Sequence, residues 1–243
     1  MNRIKLGLLG LCAVALGLAA FSGAAQATTG SKWLILNGKS EVKEGSTLHA
    51  SIDVEAESTL VLHTEILKIK VLFLCSAVKL INAKLLANGS VGEAEGAVKG
   101  AKVLFSGCIT HLNGSSSPEC VPTDSTDGVG KIVSHAGHGL AVLGTAGEDL
   151  IKVLPDEGET FATIKLPAAC PLGTSLPVIG KVNLKDCENL ALTHLVKHLL
   201  EQGPGTELFV VSKTEEHKTT VLGSAWGFLT GEHAGLPYST SNL

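Results

Sequence analysis

A mainly β architecture, an antiparallel sandwich or barrel with one short helix near residues 190–202, is the fold class this sequence predicts. Three observations lead to it. Residues 47–56 alternate strictly between apolar and polar side chains. Many further apolar runs are short, and each is bounded by Gly, Pro, Asn or Asp. Only one segment carries a three- and four-residue apolar period. Strands separated by frequent turns, without intervening long helices, fit antiparallel sheets that close or stack.

The elements follow in chain order. Leu48, Ala50, Ile52, Val54 and Ala56 fall on one face of an extended segment, and Thr47, His49, Ser51, Asp53 and Glu55 on the other, which predicts a half-buried strand. Residues 60–86 are richer in apolar side chains. His63, Glu65, Lys68, Lys70 and Lys79 interrupt them, so this stretch reads as two long strands covered on both faces and not as a membrane helix. Asn88-Gly89 marks a turn. Further strands are expected at 102–106, 129–134, 139–144, 149–154, 160–166, 176–184, 207–212 and 219–229. Between Asn189 and Gln202 the spacing of Leu192, Leu195, Val196, Leu199 and Leu200 predicts an amphipathic helix, stopped by Gly203-Pro204-Gly205.

The amino terminus predicts export. Asn2, Arg3 and Lys5 form a basic n-region, Leu6 to Phe21 is apolar, and Ala25-Gln26-Ala27 is a small-x-small cleavage site. Residues 1–27 therefore read as a signal peptide, leaving 28–243 as a single mainly β domain that starts at Thr28. An apolar run of this length is short of the ~20 residues a membrane span needs.

The mature chain contains no Arg and no Met, and its 17 Lys are outnumbered by 23 Asp plus Glu. Phosphate backbones are held by clustered cations, with Arg the preferred bidentate donor. Nucleic acid and anionic membrane surfaces are thus not expected as partners. The whole chain has six Phe, two Trp and one Tyr, so its core must be built from Leu, Val, Ile and Ala.

Cys75, Cys108, Cys120, Cys170 and Cys187 remain after cleavage. In an oxidising compartment this odd number suggests two bridges and one free thiol. Loop closure favours Cys108 with Cys120 and Cys170 with Cys187, leaving Cys75, which shares a face with Ile69, Val71 and Phe73, as a buried thiol. The alternative joins Cys75 to Cys170 and leaves Cys187 free.

Phe105-Ser106-Gly107-Cys108-Ile109-Thr110 with Leu112-Asn113-Gly114 following, Gly158-Glu159-Thr160-Phe161, Thr193-His194-Leu195 leading to Gly203-Pro204, and Leu229-Thr230-Gly231-Glu232-His233-Ala234-Gly235-Leu236 resemble a family of secreted, uncharacterised bacterial all-β proteins. The resemblance runs along most of the mature chain. It implies export and a cysteine-containing β fold, and it brings no catalytic residue with it.

Chemistry in the residues themselves is sparse. His194 and His198 would lie one turn apart on a helix, and His135 and His138 share a Gly-containing turn, but zinc chemistry needs a third ligand and no HExxH occurs. Glu119, Asp124 and Asp127 lack the alternating oxygens of an EF-hand, and turn chemistry accounts for them as well. Gly223-Ser224-Ala225-Trp226-Gly227 is not a nucleophile elbow, Ser40-Glu41-Val42-Lys43 lacks its partner motifs, and Glu93/Glu95 and Asp156/Glu157/Glu159 sit in Gly- or Pro-punctuated turns. No metal or cofactor is expected, and no catalytic residue can be named. The leading expectation is an exported non-catalytic structural or binding module. The alternatives are an extracellular hydrolase with a dispersed active site and a carrier of a small apolar ligand inside a β-barrel, the last suggested by the aliphatic strands and by Trp33.

Overall fold

The computed structural model describes residues 32–35, 50–54, 59–85, 97–144, 148–186, 194–200 and 205–241. Its strands are β1 (Lys32–Ile35), β2 (Ala50–Val54), β3 (Thr59–Ile66), β4 (Ile69–Cys75), β5 (Ala77–Ile81), β6 (Lys84–Leu85), β7 (Ala97–Ser106), β8 (Ile109–Leu112), β9 (Ser115–Ser116) and β10 (Thr123–Asp124). They continue as β11 (Gly128–Val129), β12 (Ile132–Val133), β13 (Gly137–Leu143), β14 (Asp149–Pro155), β15 (Thr160–Lys165), β16 (Ser175–Asp186), β17 (Val196–Leu200), β18 (Glu207–Ser212), β19 (Glu215–Thr230) and β20 (Tyr238–Ser241). All strand pairings described are antiparallel, and two 3-10 turns complete the elements.

The pairings return to their starting point. From β16 they run through β14, β13, β7, β6, β2, β19 and β17 and arrive at β16 again. This ring of eight strands is a closed barrel, a size whose interior is either filled by side chains or holds one small ligand. The longer strands β7, β16 and β19 run past the ring and pair a second time, with β5 and β12, with β15 and β18, and with β18 and β3. Beyond β3 the sheet continues into β4, β8 and β9, and Ser134, just after β12, bridges to Ala162 in β15.

Alternation along the strands sets the inside. In β3, Leu60, Leu62, Thr64 and Ile66 are buried while Thr59, His63 and Glu65 are exposed. In β4 the buried positions are Val71, Phe73 and Cys75. Two apolar clusters result. One gathers Phe73, Ile132, Ile164, Leu176 and Val210 around the four paired cysteines. The other packs Trp33 and Tyr238, from the separate β1–β20 ribbon, against Leu85, Ile151, Val196 and Leu229 of the ring strands. Val153 and Leu184 touch both clusters.

Two sequence expectations are corrected here. The helix expected near 190–202 is a strand where it is described, with β17 seated between β16 and β19. A lone helix of that length is marginal in water, whereas a strand at this place pairs the open edges of β16 and β19 at once. Residues 187–193 and 201–204 of that stretch lie outside the described residues.

The cysteine pairing is also different. Cys75 bonds Cys108, with Cα atoms 4.0 Å apart, and Cys120 bonds Cys170, with Cα atoms 4.8 Å apart. Cys75 is therefore not a free thiol, and neither the Cys108–Cys120 nor the Cys75–Cys170 pairing forms. The cause is register: Leu74 lies opposite Ile109 in the β4–β8 ladder, so the next position brings Cys75 against Cys108. Cys120 ends a 3-10 turn held by Thr110, whose hydroxyl donates to the Cys120 carbonyl at 2.6 Å. From there it meets Cys170 in the 167–173 turn. Cys187, expected to pair with Cys170, lies outside the described residues, and with Cys170 bonded to Cys120 that pair is excluded.

Candidate functional site

Between the two apolar clusters lies a cavity of about 250 Å³. Trp33, Phe105 and Phe161 supply its aromatic walls, and Leu60, Ile132, Val153, Ile164, Leu184 and Val221 are among the aliphatic ones. These nine residues come from eight different strands, so the fold assembles the site and no local motif does. Short side chains leave the space: Ala101, Ala162, Ala225, Gly137, Gly139 and Gly227 also line it. Among the described residues no Lys, Asp or Glu faces the cavity.

Two of the polar groups at its wall, Ser134 Oγ and His198 Nε2, are engaged with the protein. Ser134 Oγ accepts a hydrogen bond from the Val103 N–H at 2.8 Å and donates to the His135 carbonyl at 2.8 Å. His198, buried on β17, has its Nε2 3.2 Å from the hydroxyl of buried Tyr238. Gly227 makes room for this pair, because a Cβ there would collide with the Tyr238 hydroxyl and crowd the His198 ring. The cavity meets solvent beside Thr59, His135 and His138. At this mouth His138 Nδ1 lies 2.9 Å from Asp156 Oδ1, and His135 Nε2 lies 3.5 Å from Thr163 Oγ1.

The sequence-derived sites fall elsewhere or apart. His135 and His138 stand at one mouth but bond different partners. His194 is exposed in a bend ahead of β17 and His198 is buried within that strand, so the helical spacing that would have paired them is absent. Ser224 is in the middle of β19, far from any turn that could form a nucleophile elbow. The His138–Asp156 pair has no serine or cysteine bonded to it among the described residues, and Ser134 is held by backbone groups on both sides. Ser40, Lys43, Glu93 and Glu95 lie outside the described residues. No motif points to the cavity; its sequence signals are the aliphatic strands, the scarcity of aromatic residues and Trp33, which lines it.

The acidic loop is turn chemistry. Asp124 Oδ1 accepts from the Thr126 and Asp127 N–H groups at 2.8 and 3.0 Å, and these bonds hold the Asp124 carboxyl below its usual range. Glu119 is lowered by hydrogen bonding to its own backbone N–H and to Ser117, whose hydroxyl is 2.8 Å away. Asp124→Ala is expected to lose about 1–2 kcal/mol through its two turn bonds. A depressed folded-state pKa stabilises above the unfolded value and ceases to as pH falls through the folded one. The gap between wild type and variant should accordingly narrow below about pH 4, read from urea unfolding at pH 7 and pH 3.

Two disulfides accord with an oxidising location, and among the described residues no helix is long and apolar enough to cross a membrane. Comparison with known proteins finds no matching family model, no matching curated protein and no matching solved structure.

Proposed function

We propose that this chain is an exported, disulfide-bonded, non-catalytic binding module that takes a small apolar molecule into the interior of its barrel. The observation that carries the reading is the cavity of about 250 Å³ with apolar walls. Protein interiors are packed like organic crystals, and a void of ~150 Å³ lined by such side chains stays dry and takes up benzene. Apolar side chains that face such a space give up the packing contacts that a filled core would supply. A purely structural barrel gains nothing from such a void, and filling it would require no more than larger side chains at Ala162 or Ala225. A hydrolase needs a nucleophile beside the His138–Asp156 pair. The carrier reading needs only the apolar space.

Export rests on the n-region, the apolar run and the Ala25-Gln26-Ala27 site, in keeping with the two disulfides. The secreted protein should begin at Thr28, which the mass of the protein from culture medium will show.

Calorimetric titration with toluene tests the binding reading. One toluene per chain is expected, and Ala162→Phe, which fills the cavity from β15, should abolish the heat while keeping the strand signal in circular dichroism. Absence of saturable heat in the wild-type protein would overturn the reading.

A further inference from the structure

Resting on the cavity as a ligand site, we infer that its ligand is a neutral, compact molecule of about ten carbon atoms and not a fatty-acid anion. Size follows from scale: ~150 Å³ accommodates a six-carbon ring, so about 250 Å³ accommodates roughly ten carbons folded together. Charge follows from the walls and the mouth. No Lys lines the cavity among the described residues, and the mature chain has no Arg. A carboxylate inside would be buried without a counter-ion, which is costly unless it is paired.

Leaving the carboxylate at the mouth does not relieve this. The groups there are His135, bonded toward Thr163, and His138, bonded to the Asp156 carboxylate. The turn that leaves Pro155 of the cavity wall adds Asp156, Glu157 and Glu159, all exposed. An anionic head would face acidic groups on leaving the cavity, whereas a neutral alcohol or ketone would not. Ser134 Oγ and His198 Nε2 are already bonded within the protein and the remaining wall is almost wholly apolar, so the ligand is apolar over most of its surface.

The chain supplies its own reporter. Its two tryptophans are Trp33, buried at the cavity wall, and Trp226, on the barrel exterior with Lys197 Nζ 5.3 Å from its ring. In the full mature protein carrying Trp226→Phe, emission reports Trp33 alone. The titrants are 1-adamantanol and 1-adamantanecarboxylate, which share one ten-carbon cage and differ in charge. At pH 7.4 the alcohol should shift Trp33 emission saturably, and the carboxylate should bind at least tenfold more weakly. Ala162→Phe and Ala225→Leu, on different walls, should each remove the response in protein whose thermal unfolding stays cooperative. Equal or tighter binding of the carboxylate would overturn the inference and leave the binding reading intact. Toluene binding with neither adamantane compound binding would overturn the size. Silence of all three would overturn the binding reading itself. Persistence of the response in both filled variants would place the ligand outside the cavity and overturn both.

Discussion

Replacing Cys120 and Cys170 together with alanine is expected to lower the stability of the mature protein by about 4 kcal/mol. The bridge spans 50 residues, and in the chain-entropy treatment a loop of that length costs the unfolded ensemble about 4 kcal/mol of freedom. The Cys75–Cys108 bridge spans 33 residues, and the logarithm makes its expected contribution only slightly smaller. Local consequences add to the first. Cys120 anchors the 3-10 turn that accepts the Thr110 hydroxyl, and Cys170 anchors the turn in which the Gly173 N–H donates to its carbonyl. For a domain of this size the loss corresponds to a melting point lower by on the order of 10 °C. Calorimetry on the double variant checks it, and an unchanged melting point would mean that the bridge constrains nothing.

Phe73→Ala should cost about 4 kcal/mol, and considerably more than Phe161→Ala. Phe73 points inward from β4, fully buried in the cluster around the disulfides, so its removal opens a new void among well-packed neighbours. Phe161 is half-buried and already faces the cavity, so it has fewer atoms to lose contact with. Urea unfolding of both variants separates the two costs. Equal losses would mean that the space beside Phe161 is packed as tightly as the core around Phe73.

The fold was legible wherever the signal is local. The run expected at 207–212 coincides with β18, whereas the 60–86 run, expected as two long strands covered on both faces, is four strands, β3 to β6, with Thr59, His63 and Glu65 of β3 exposed. Residues 219–229 lie within β19, which reaches back to Glu215 because Glu216 and His217 pair with β18 despite their polarity. The segment around Leu195, Val196, Leu199 and Leu200 carries a helical spacing, yet its neighbours decide otherwise. Val196 and His198 point inward, and His198 is tolerated there because Tyr238, forty residues on, supplies a hydrogen-bond partner that spacing cannot reveal.

Disulfide pairing failed for a related reason. Loop length favours nearby cysteines, but the ladder that sets Leu74 against Ile109 is fixed by long-range register. The candidate site was the least legible of all. A cavity is the part of a barrel that side chains do not reach, and it exists only once β16 has met β14 and β17. Its trace in the sequence is compositional: a core of Leu, Val, Ile and Ala, with few rings to span the interior.

Xenon under pressure, diffused into crystals of the mature protein, tests the central claim most directly. A dry apolar cavity holds xenon, and the account predicts a strong peak between Trp33, Phe105 and Phe161. A chain of ordered waters in that space, or side chains closed over it with no xenon bound, would contradict the claim that the barrel encloses a ligand site.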